Sequence, residues 1–402
     1  MENTNYKTEK IMAESPPEKK YQVTLDNWRK YPYTSWSFVN VRNLIPTAPI
    51  DTNISSKTSF QKKITNLHDL KVIHQEISHN FIDVLKNCNT DAFLVMHKGL
   101  LVYEYFNKFT LKDTPHIIFS ISKSLTSLLT AILFQDKTLD LNRMVSKIIP
   151  ETKGSAYEDA TIRNVLDMNV ASNFIEDYSG EAEIFKKYRA STGWDLTNND
   201  TNNSSDGLHN FLSNMPSSKL SHGKKYHYCS PNSDLLGWII ERISKQKYYK
   251  LISDLLFKPS GMSFPANVTL DKWGASRAAG GVSISPYDLL LLAELVRCEG
   301  SNDNGQIIPS SWINDFINYN DNSCYLNQDD LKRFPKGNYR SKWYQTGFND
   351  NEYCAIGIHG QNIWINPKKE LTIIRMSSAS DPINIQTEEL MFSVFKKIAE
   401  SL

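Results

Sequence analysis

The sequence predicts an α/β protein in which both ends of the chain build one sheet domain and a mostly helical domain is inserted between them. Strand-like runs lie near the front and the end of the chain, whereas the middle has mostly helical periodicity. With 402 residues, 40% of them hydrophobic, the chain can bury a large core. We expect a flexible leader over residues 1–20, the sheet domain over 21–160 and 275–402, and the helical domain over 161–274.

The front of the chain is expected to contain an arm, a helix and a hairpin. Residues 21–50 are rich in aromatic side chains and are predicted to pack over the domain surface. Asp69–Leu85 has apolar residues at helical spacing, which predicts a helix. Ala92–Val95 and Leu100–Tyr105 are β-rich runs joined by a short turn that ends at Gly99, which indicates a hairpin.

Helices and strands also follow from the pattern of the remaining chain. Helical spacing predicts helices over Phe119–Phe134, Thr161–Met168, Asn232–Ile243 and Pro286–Val296, the last with Ser285 as its N-cap. Residues 197–206 are almost wholly Asn, Asp, Ser and Thr, so we expect a polar loop. Near the end, three β-rich runs predict strands and a terminal amphipathic segment predicts a helix: Cys354–Ile358, Gln361–Ile365, Leu371–Met376 and Gln386–Ile398.

The composition excludes several classes of function. Lysine and arginine number 45 against 44 aspartate and glutamate, a net charge of +1, whereas nucleic-acid-binding proteins carry a clear basic excess. No apolar run reaches the roughly 18 residues of a membrane span, and the N-terminus lacks the apolar stretch of a secretory signal. We therefore expect a cytoplasmic enzyme that acts on a small molecule, with no nucleic-acid or membrane partner and with its oligomeric state left open.

The cysteines and histidines predict neither a disulfide framework nor a metal site. The chain has five cysteines, an odd number spread from Cys88 to Cys354 without zinc-ligand spacing. His222, His227 and Cys229 are close in sequence, but no carboxylate or further cysteine stands at ligand spacing beside them. No phosphate-binding or dinucleotide-binding glycine motif is present, so no cofactor is predicted.

The first chemical motif is Ser120-Ile-Ser-Lys123 at the start of an apolar helix. Side chains three residues apart share a helix face, so a neutral lysine can take the proton of the serine hydroxyl. The chain has five Ser-x-x-Lys matches, and only this one follows an apolar run and opens a helix that could desolvate its lysine. For this motif alone, a helix cap followed by a surface lysine is the alternative interpretation.

Four further stretches follow the Ser-x-x-Lys motif in a characteristic order. They are Thr161-Ile-Arg-Asn-Val-Leu-Asp-Met168, Tyr228-Cys-Ser230-Pro-Asn-Ser-Asp-Leu-Leu-Gly237, the Gly-Gly turn Ala279-Gly-Gly-Val-Ser-Ile-Ser285-Pro-Tyr-Asp288, and Gly357-Ile-His-Gly-Gln361. Together the five pieces resemble the serine β-lactamase-like superfamily of class C β-lactamases and family VIII esterases, and in particular its 6-aminohexanoate-dimer hydrolase branch. The resemblance extends from about Trp28 to the C-terminus. It implies an antiparallel sheet flanked by helices, the β-lactamase/transpeptidase-like fold.

The resemblance also implies the roles of the catalytic residues. Ser120 would be the nucleophile and Lys123 its base partner. Tyr228, held between them near its phenolate form, would pass the proton to the leaving group. Tyr226 is the rival if the register slips by two residues. The backbone amides of Ser120 and Ile358 would form the oxyanion hole.

Four other residues are candidates for contacts with the substrate. Tyr178 resembles the tyrosine that donates a hydrogen bond to the leaving amide nitrogen in the dimer hydrolases. Ser230 is expected to make a polar contact beside the site. His359 either contacts the substrate, orients Tyr228 or is a structural histidine. Trp343 is either a wall of the pocket or an ordinary core tryptophan.

Two departures from the family pattern narrow the expected activity. The third motif reads Ala355-Ile-Gly357 in place of Lys-Thr-Gly, and Ser230 stands where class C enzymes have asparagine. In the family that lysine meets the carboxylate of β-lactams, so its absence argues against β-lactamase activity. We predict a serine hydrolase of small amides or esters that forms a Ser120 acyl-enzyme. Acyl transfer from the same intermediate is the alternative, and a catalytically silent binding paralogue is a lesser one.

Overall fold

The structure, a computed structural model, describes residues 8–55, 57–135, 140–195, 207–327, 333–348 and 350–402. The polar loop predicted over residues 197–206 lies outside this described part of the chain. None of the helices that the structure describes is long and apolar enough to cross a membrane.

The described chain contains fifteen strands, most of which belong to two antiparallel sheets. They are β1 (Thr47–Ile50), β2 (Lys71–His74), β3 (Ile77–Asn80), β4 (Thr90–His97), β5 (Leu100–Phe106), β6 (His116–Ile117), β7 (Ala266–Thr269), β8 (Val282–Ile284), β9 (Ser301–Asn302), β10 (Gly305–Gln306), β11 (Asn338–Arg340), β12 (Trp343–Gln345), β13 (Tyr353–Gly357), β14 (Gln361–Asn366) and β15 (Leu371–Ser377). The main sheet has the order β11-β12-β13-β14-β15-β4-β5, and a smaller sheet has the order β1-β7-β8-β6. Both ends of the chain therefore build the main sheet, as the sequence predicts.

Twelve α-helices occur in the same described residues. They are α1 (Thr34–Ser37), α2 (Phe81–Asn87), α3 (Ile121–Gln135), α4 (Ile162–Leu166), α5 (Glu183–Ser191), α6 (Gly207–Ser213), α7 (Ser230–Ser244), α8 (Tyr248–Ile252), α9 (Pro286–Arg297), α10 (Ser310–Asn318), α11 (Ser323–Leu326) and α12 (Ile385–Ser401). Helices α4 to α8 lie within residues 161–274, but β7 of that segment pairs with β1 and β8. The division into a sheet domain and an inserted helical domain stays a prediction.

Helices cover both faces of the main sheet. On one face, Phe395 of α12 packs against Phe93 of β4 and Trp364 of β14, with ring centroids 6.1 and 5.3 Å apart. On the other face, the Tyr287 hydroxyl of α9 donates a 2.8 Å hydrogen bond to Glu104 of β5. Glu104 pairs with Leu94, which follows Phe93 on β4 and therefore points to the opposite face of the sheet. Every residue of β15 is buried as a result, including Arg375, whose guanidinium donates hydrogen bonds to Thr90, the Cys88 carbonyl and Ser377.

Most of the predicted elements are confirmed within a few residues. The hairpin of β4 and β5, the three strands near the end and the long helices α3, α7, α9 and α12 all form where the sequence places them. Ser285 caps α9 by accepting a hydrogen bond from the Asp288 amide, at 3.1 Å. Thr161 and Asn164 form a capping box that starts α4.

The helix predicted over Asp69–Leu85 is wrong, because this segment is a hairpin followed by a short helix. β2 pairs with β3 through a two-residue turn at Gln75 and Glu76, and only α2 is helical. Both turn residues have positive φ, 47° and 65°, as a tight hairpin turn requires. Glycine or asparagine usually marks such a turn, and neither is present, so the sequence gives no hairpin signal there.

The N-terminal arm packs into the protein behind the start of α3. Trp28 is fully buried, and its ring contacts Phe119 and Trp194 at centroid distances of 6.3 and 5.3 Å. Its indole N–H donates a hydrogen bond to the Trp194 carbonyl, at 3.2 Å. Ile11, within the predicted leader, is buried in the same cluster. The arm is therefore part of the core that supports the first residues of α3.

Replacing Trp28 by alanine should lower the free energy of unfolding by about 3–5 kcal/mol, because a large buried ring is lost and its cavity cannot collapse. Denaturant titration of the purified variant measures this. Trp273→Ala is the matched control, since its side chain is 71% exposed, and it should change stability by less than about 0.5 kcal/mol. Equal effects of the two variants would contradict a core role for the arm.

Candidate active site

Ser120 lies at the turn between β6 and α3, directly after a residue in the left-handed region. Phe119 has φ of 43°, which costs about 1–3 kcal/mol for a residue with a side chain. Its ring is buried against Phe38 and Trp194, with centroids 4.9 and 6.0 Å away, and against Trp28. The aromatic packing holds this backbone conformation in place, and the chain then presents Ser120 at the edge of a cavity.

Lys123 lies one helical turn after Ser120 and points back at it. Its Nζ is 2.7 Å from Ser120 Oγ and 2.8 Å from the Ala279 carbonyl oxygen. Burial lowers the pKa of Lys123 to about 7, and the charge of Glu176 is the largest opposing influence. A large fraction of this lysine is therefore a neutral amine at neutral pH. A neutral amine at hydrogen-bond distance can accept the serine proton.

A buried carboxylate fixes the turn that contacts Lys123. The Ala279 amide donates to Asp234 of α7 at 2.8 Å, while its carbonyl accepts from Lys123. Asp234 also accepts hydrogen bonds from Arg277 and, at 2.6 Å, from the Tyr188 hydroxyl. A Cβ at Gly281 would lie 2.3 Å from the Thr269 hydroxyl, so the turn needs glycine there. Asp234 thereby positions the acceptor of the Lys123 amine.

Tyr228 completes the group around the serine. Lys123 Nζ lies 5.2 Å from the centroid of its ring, and Tyr228 borders the same cavity as Ser120. Burial raises the pKa of Tyr228 well above its ordinary value, with Tyr344 and Glu176 adding to the rise and contact with the Ser120 hydroxyl opposing it. The resting residue is thus a neutral phenol. The expectation that it stays near its phenolate form is wrong, because burial in a pocket that already holds a carboxylate disfavours a second anion.

Tyr226, the rival for the tyrosine role, lies in the wall of the cavity. Its hydroxyl is 3.3 Å from the hydroxyl of Tyr344, and its ring packs against Tyr325 and Tyr339 with centroids 5.2 and 5.0 Å away. This packing assigns its side chain to the aromatic lining. Tyr228 is the tyrosine that the structure brings to Lys123 and Ser120.

Two backbone amides meet the requirement for an oxyanion hole. Ser120 and Ile358 both line the cavity, and within the described residues no backbone or side-chain acceptor takes a hydrogen bond from either amide. Strand β13, which ends immediately before Ile358, comes very close to the residues before Ser120. A Cβ at Gly357 would lie 2.6 Å from the Ile118 carbonyl oxygen. Backbone N–H donors without a protein acceptor are what an oxyanion hole requires, so the assignment of these two amides stays a prediction.

Glu176 is a site residue that the sequence analysis missed. It accepts hydrogen bonds from the Ser230 hydroxyl at 2.5 Å and the Ser230 amide at 2.8 Å, at the N-terminus of α7, where negative charge is favoured. It also accepts from the Tyr178 hydroxyl at 2.6 Å. Ser230 is therefore held by Glu176, and Tyr178 borders the cavity with its proton committed to a carboxylate. Tyr178 is better placed to accept a hydrogen bond than to donate one.

Among the described residues, His359 and Trp343 do not line the cavity that holds Ser120, although His359 borders the neighbouring cavity beside Ile358. His359 Nδ1 is 2.8 Å from the Ala379 carbonyl oxygen, its ring packs between Phe38 and Phe119, and burial lowers its pKa to about 4. This packing favours the structural alternative for His359. Trp343 stacks on Phe316 at 5.2 Å in the core, and among the described residues it is not one of those that line the Ser120 cavity.

Two cavities meet beside the nucleophile. The first has a volume of about 250 Å³ and is lined by Ser120, Glu176, Tyr178, Tyr226, Tyr228, Tyr325, Arg333, Tyr344, Ile356, Ile358 and Ile383. The second, of about 460 Å³, shares Tyr178 and Ile358 with it and is bordered by the charged side chains of Arg29, Arg189 and Asp195. The two volumes provide room for a small substrate on either side of the Tyr178–Ile358 boundary.

The residues missed from the sequence share one property. Glu176, Asp234, Arg277 and Arg333 each pair with at least one residue that is distant in the chain, and no local spacing marks those pairs. Asp234 lies six residues after Tyr228, within the motif that begins at Tyr228. That motif is the sequence signal that could have identified Asp234 as a site residue.

Comparisons with known proteins identify the family to which the chain is similar. A family model described as Beta-lactamase matches residues 81–393. The 6-aminohexanoate-dimer hydrolase of Paenarthrobacter ureafaciens is 27% identical over 386 residues, which cover 95% of this chain and 94% of that protein.

Two solved structures show the same fold. A Bacillus anthracis protein assigned as a 6-aminohexanoate-dimer hydrolase superposes with a TM-score of 0.85 at 22% identity, covering 96% of this chain and 98% of that one. EstCE1, described as a hydrolase with promiscuous acyltransferase activity, gives a TM-score of 0.61 at 12% identity over 78% of this chain and 98% of that one. These likenesses confirm the predicted β-lactamase/transpeptidase-like fold.

The rate at which a fluorophosphonate probe labels Ser120 should follow the titration of Lys123. Only the neutral amine accepts the serine proton, and the neutral fraction rises as pH rises through a pKa of about 7. The labelling rate should therefore increase about tenfold per unit below pH 7 and level off above it. Lys123→Arg should lose the inflection and most of the rate, because a guanidinium stays protonated. A flat profile for the wild-type protein between pH 5.5 and 9 would contradict the base role.

Proposed function

The chain belongs to the beta-lactamase family and is a serine hydrolase of that family. From this we propose that it cleaves small amides or esters through a Ser120 acyl-enzyme. The observation that carries the proposal is the Lys123 amine, buried, with a pKa of about 7 and 2.7 Å from Ser120 Oγ. A serine hydroxyl is a weak nucleophile, and an adjacent neutral base is what activates it.

Acylation begins with attack of Ser120 Oγ on the scissile carbonyl carbon. The new O–C bond forms while the hydroxyl proton moves to Lys123 Nζ, and the carbonyl oxygen becomes an oxyanion. The amides of Ser120 and Ile358 donate to that oxygen. Each such donor is worth about 10²–10³ in rate in comparable hydrolases. The Ala279 carbonyl remains an acceptor for the lysine, so it stabilises the ammonium that this step creates.

Collapse of the tetrahedral intermediate needs a proton on the leaving group. Tyr228 is a neutral phenol in the resting site, so it can donate its proton to the leaving nitrogen as the C–N bond breaks and take one from the Lys123 ammonium. Tyr178, whose own proton is held by Glu176, can accept a hydrogen bond from the substrate N–H and orient the leaving amide. Lys123 returns to its neutral form when the amine departs.

Deacylation repeats the same steps with water as the nucleophile. Lys123 takes a proton from the water, the oxyanion forms again at the two amides, and the C–O bond to Ser120 breaks. The proton returns to Ser120 Oγ from Lys123, which restores the resting site. An acyl hydrolase therefore needs no group beyond those that acylation already uses.

The cavity favours an acyclic amide or ester over a β-lactam. In the strand beside Ser120, Ala355 stands where the family pattern has a lysine for the β-lactam carboxylate, and the next residue, Ile356, contributes an apolar side chain to the cavity wall. The relative that is similar over most of this chain is named for the dimer of 6-aminohexanoate, a linear amide. A small linear amide is therefore the substrate class that we propose first.

Ser120→Ala should abolish labelling by a fluorophosphonate probe, because the phosphonyl group needs an activated hydroxyl. Intact-protein mass spectrometry measures the adduct. Ser221→Ala is the matched control, since Ser221 and Lys224 form another Ser-x-x-Lys match in an exposed loop, and its labelling should equal that of the wild-type protein. Labelling that persists in Ser120→Ala would assign the nucleophile elsewhere.

Tyr228→Phe should slow amide hydrolysis by about 10²–10⁴ and slow p-nitrophenyl ester hydrolysis much less. An amine must be protonated to leave, whereas p-nitrophenolate leaves as an anion. Steady-state rates on an anilide and on a p-nitrophenyl ester with the same acyl group measure the difference. Equal losses on both substrates would show that Tyr228 acts before the leaving group departs, in the activation of Ser120.

A further inference from the structure

Arg333 borders the Ser120 cavity with one edge of its guanidinium unoccupied. Its Nε and Nη2 donate to the two carboxylate oxygens of Glu388 on α12, at 2.8 and 3.1 Å. A guanidinium has five N–H donors in a planar fork, so this pair uses only one edge. Nη1 has no hydrogen-bond acceptor within the residues that the structure describes. The side chain nevertheless lines the cavity, so its second edge is available to a bound molecule.

The position of Arg333 is fixed and shielded from solvent. The side chains of Arg333 and Glu388 are 19% and 17% exposed, so their attraction is screened less than that of a surface pair. The Arg333 charge reaches the catalytic side of the cavity. Burial raises the pKa of Tyr344, and Arg333 is the strongest influence in the opposite direction. A guanidinium held by one carboxylate in this way is oriented in advance to bind a second one.

The other charged group of the cavity is less available. Glu176 already accepts hydrogen bonds from the Ser230 hydroxyl and amide and from Tyr178. Its charge is thus distributed over three donors of the protein and partly offset by the N-terminus of α7. An ammonium group on a substrate would compete with those donors, whereas a carboxylate would meet an unused donor edge.

We propose that Arg333 binds a carboxylate of the substrate, so that the enzyme is selective for amides or esters that carry a carboxylate apart from the scissile bond. The proposal rests on the acyl-hydrolase function proposed above and specifies its substrate class. Tyr226, Tyr228 and Tyr344 line the same cavity as Ser120 and Arg333 and give it aromatic walls. The cavity has a volume of about 250 Å³, which suits a substrate with a short linker. That linker would connect the carboxylate either to the scissile carbonyl or to the leaving amine.

Three p-nitroanilides with the same five-carbon acyl chain test the acyl side. They are those of glutaric acid, pentanoic acid and 5-aminopentanoic acid, which end in a carboxylate, a methyl group and an ammonium group. We expect kcat/KM to be about 10- to 100-fold higher for the glutaryl compound than for the pentanoyl one, the range that charge-assisted hydrogen bonds give. A preference for the aminopentanoyl compound would overturn the proposal and assign the recognition to Glu176.

Two further amides test whether the carboxylate belongs to the leaving group. They are 4-(pentanoylamino)butyrate and N-butylpentanamide, whose released amines are measured with fluorescamine. The two pairs to compare are the glutaryl and pentanoyl anilides, and these two amides. A preference for the carboxylate compound in either pair supports the proposal and identifies whether the acyl group or the leaving amine carries the carboxylate. The absence of a preference in both pairs overturns it.

Substitution of Arg333 separates recognition from folding. In Arg333→Gln the ratio of kcat/KM for the carboxylate compound to that for its neutral partner should fall about 10- to 100-fold. The double variant Arg333→Gln/Glu388→Gln removes the unpaired carboxylate that the single change leaves, so it should recover stability without recovering the ratio. Arg242→Gln is the matched control, since Arg242 pairs with Glu151 on the surface, and it should leave both activities unchanged. An unchanged ratio in Arg333→Gln would refute the role.

A binding measurement keeps this proposal separate from the proposed catalysis. The Ser120→Ala protein is titrated with monomethyl glutarate by calorimetry, and the same titration is repeated with Ser120→Ala/Arg333→Gln. Binding by Ser120→Ala and loss of binding in Ser120→Ala/Arg333→Gln support carboxylate recognition. If the wild-type protein then hydrolyses none of the compounds, only the proposed function fails. Equal binding by the two proteins would overturn the assignment of Arg333.

Discussion

The burial of the Lys123 amine next to Ser120 is the constraint on which the site depends. A lysine in water is protonated at neutral pH and cannot take a proton, whereas burial brings the pKa of this lysine to about 7. A nearby free carboxylate would cancel that effect. The two acidic groups around the lysine are both engaged: Asp234 is paired with Arg277, and Glu176 is bound by Ser230 and Tyr178. The surrounding network thus lets the amine stay neutral enough to act as a base.

The N-terminal arm supports the site because it holds the residue before Ser120 in place. Ser120 follows a residue with φ of 43°, a conformation that persists only where packing imposes it. Phe119 is held by Trp28 and Phe38 of the arm, and by Trp194 from the chain between α5 and α6. The energy of that aromatic packing offsets the backbone strain. A change in the arm therefore reaches the nucleophile through contacts, although the arm contributes no catalytic group.

The sequence predicted what local patterns encode and missed what depends on tertiary contacts. The hairpin of β4 and β5, the long helices and the pairing of Ser120 with Lys123 follow from spacing over a few residues. The hairpin of β2 and β3 was missed because Gln75-Glu76 lacks the usual turn residues. The protonation state of Tyr228 was misjudged because it depends on burial, which a motif does not specify. The pair Arg333–Glu388 joins residues 55 positions apart, so no pattern in the sequence could predict it.

The residues proposed for catalysis and for selectivity lie on different segments of this fold. Ser120 and Lys123 lie on α3, Tyr228 precedes α7, and Asp234 locks the Ala279 turn to them, so these groups constrain one another and can change only together. Arg333 lies in the loop before β11 and is oriented by Glu388 of the last helix, without a hydrogen bond to the catalytic group. If Arg333 binds the substrate as proposed, a substitution there alters which substrates bind and leaves the proposed proton path intact. On these proposals, the substrate preference of this fold can change through residues such as Arg333 without a change in the acyl chemistry, which is why a relative at 27% identity does not by itself specify the substrate of this chain.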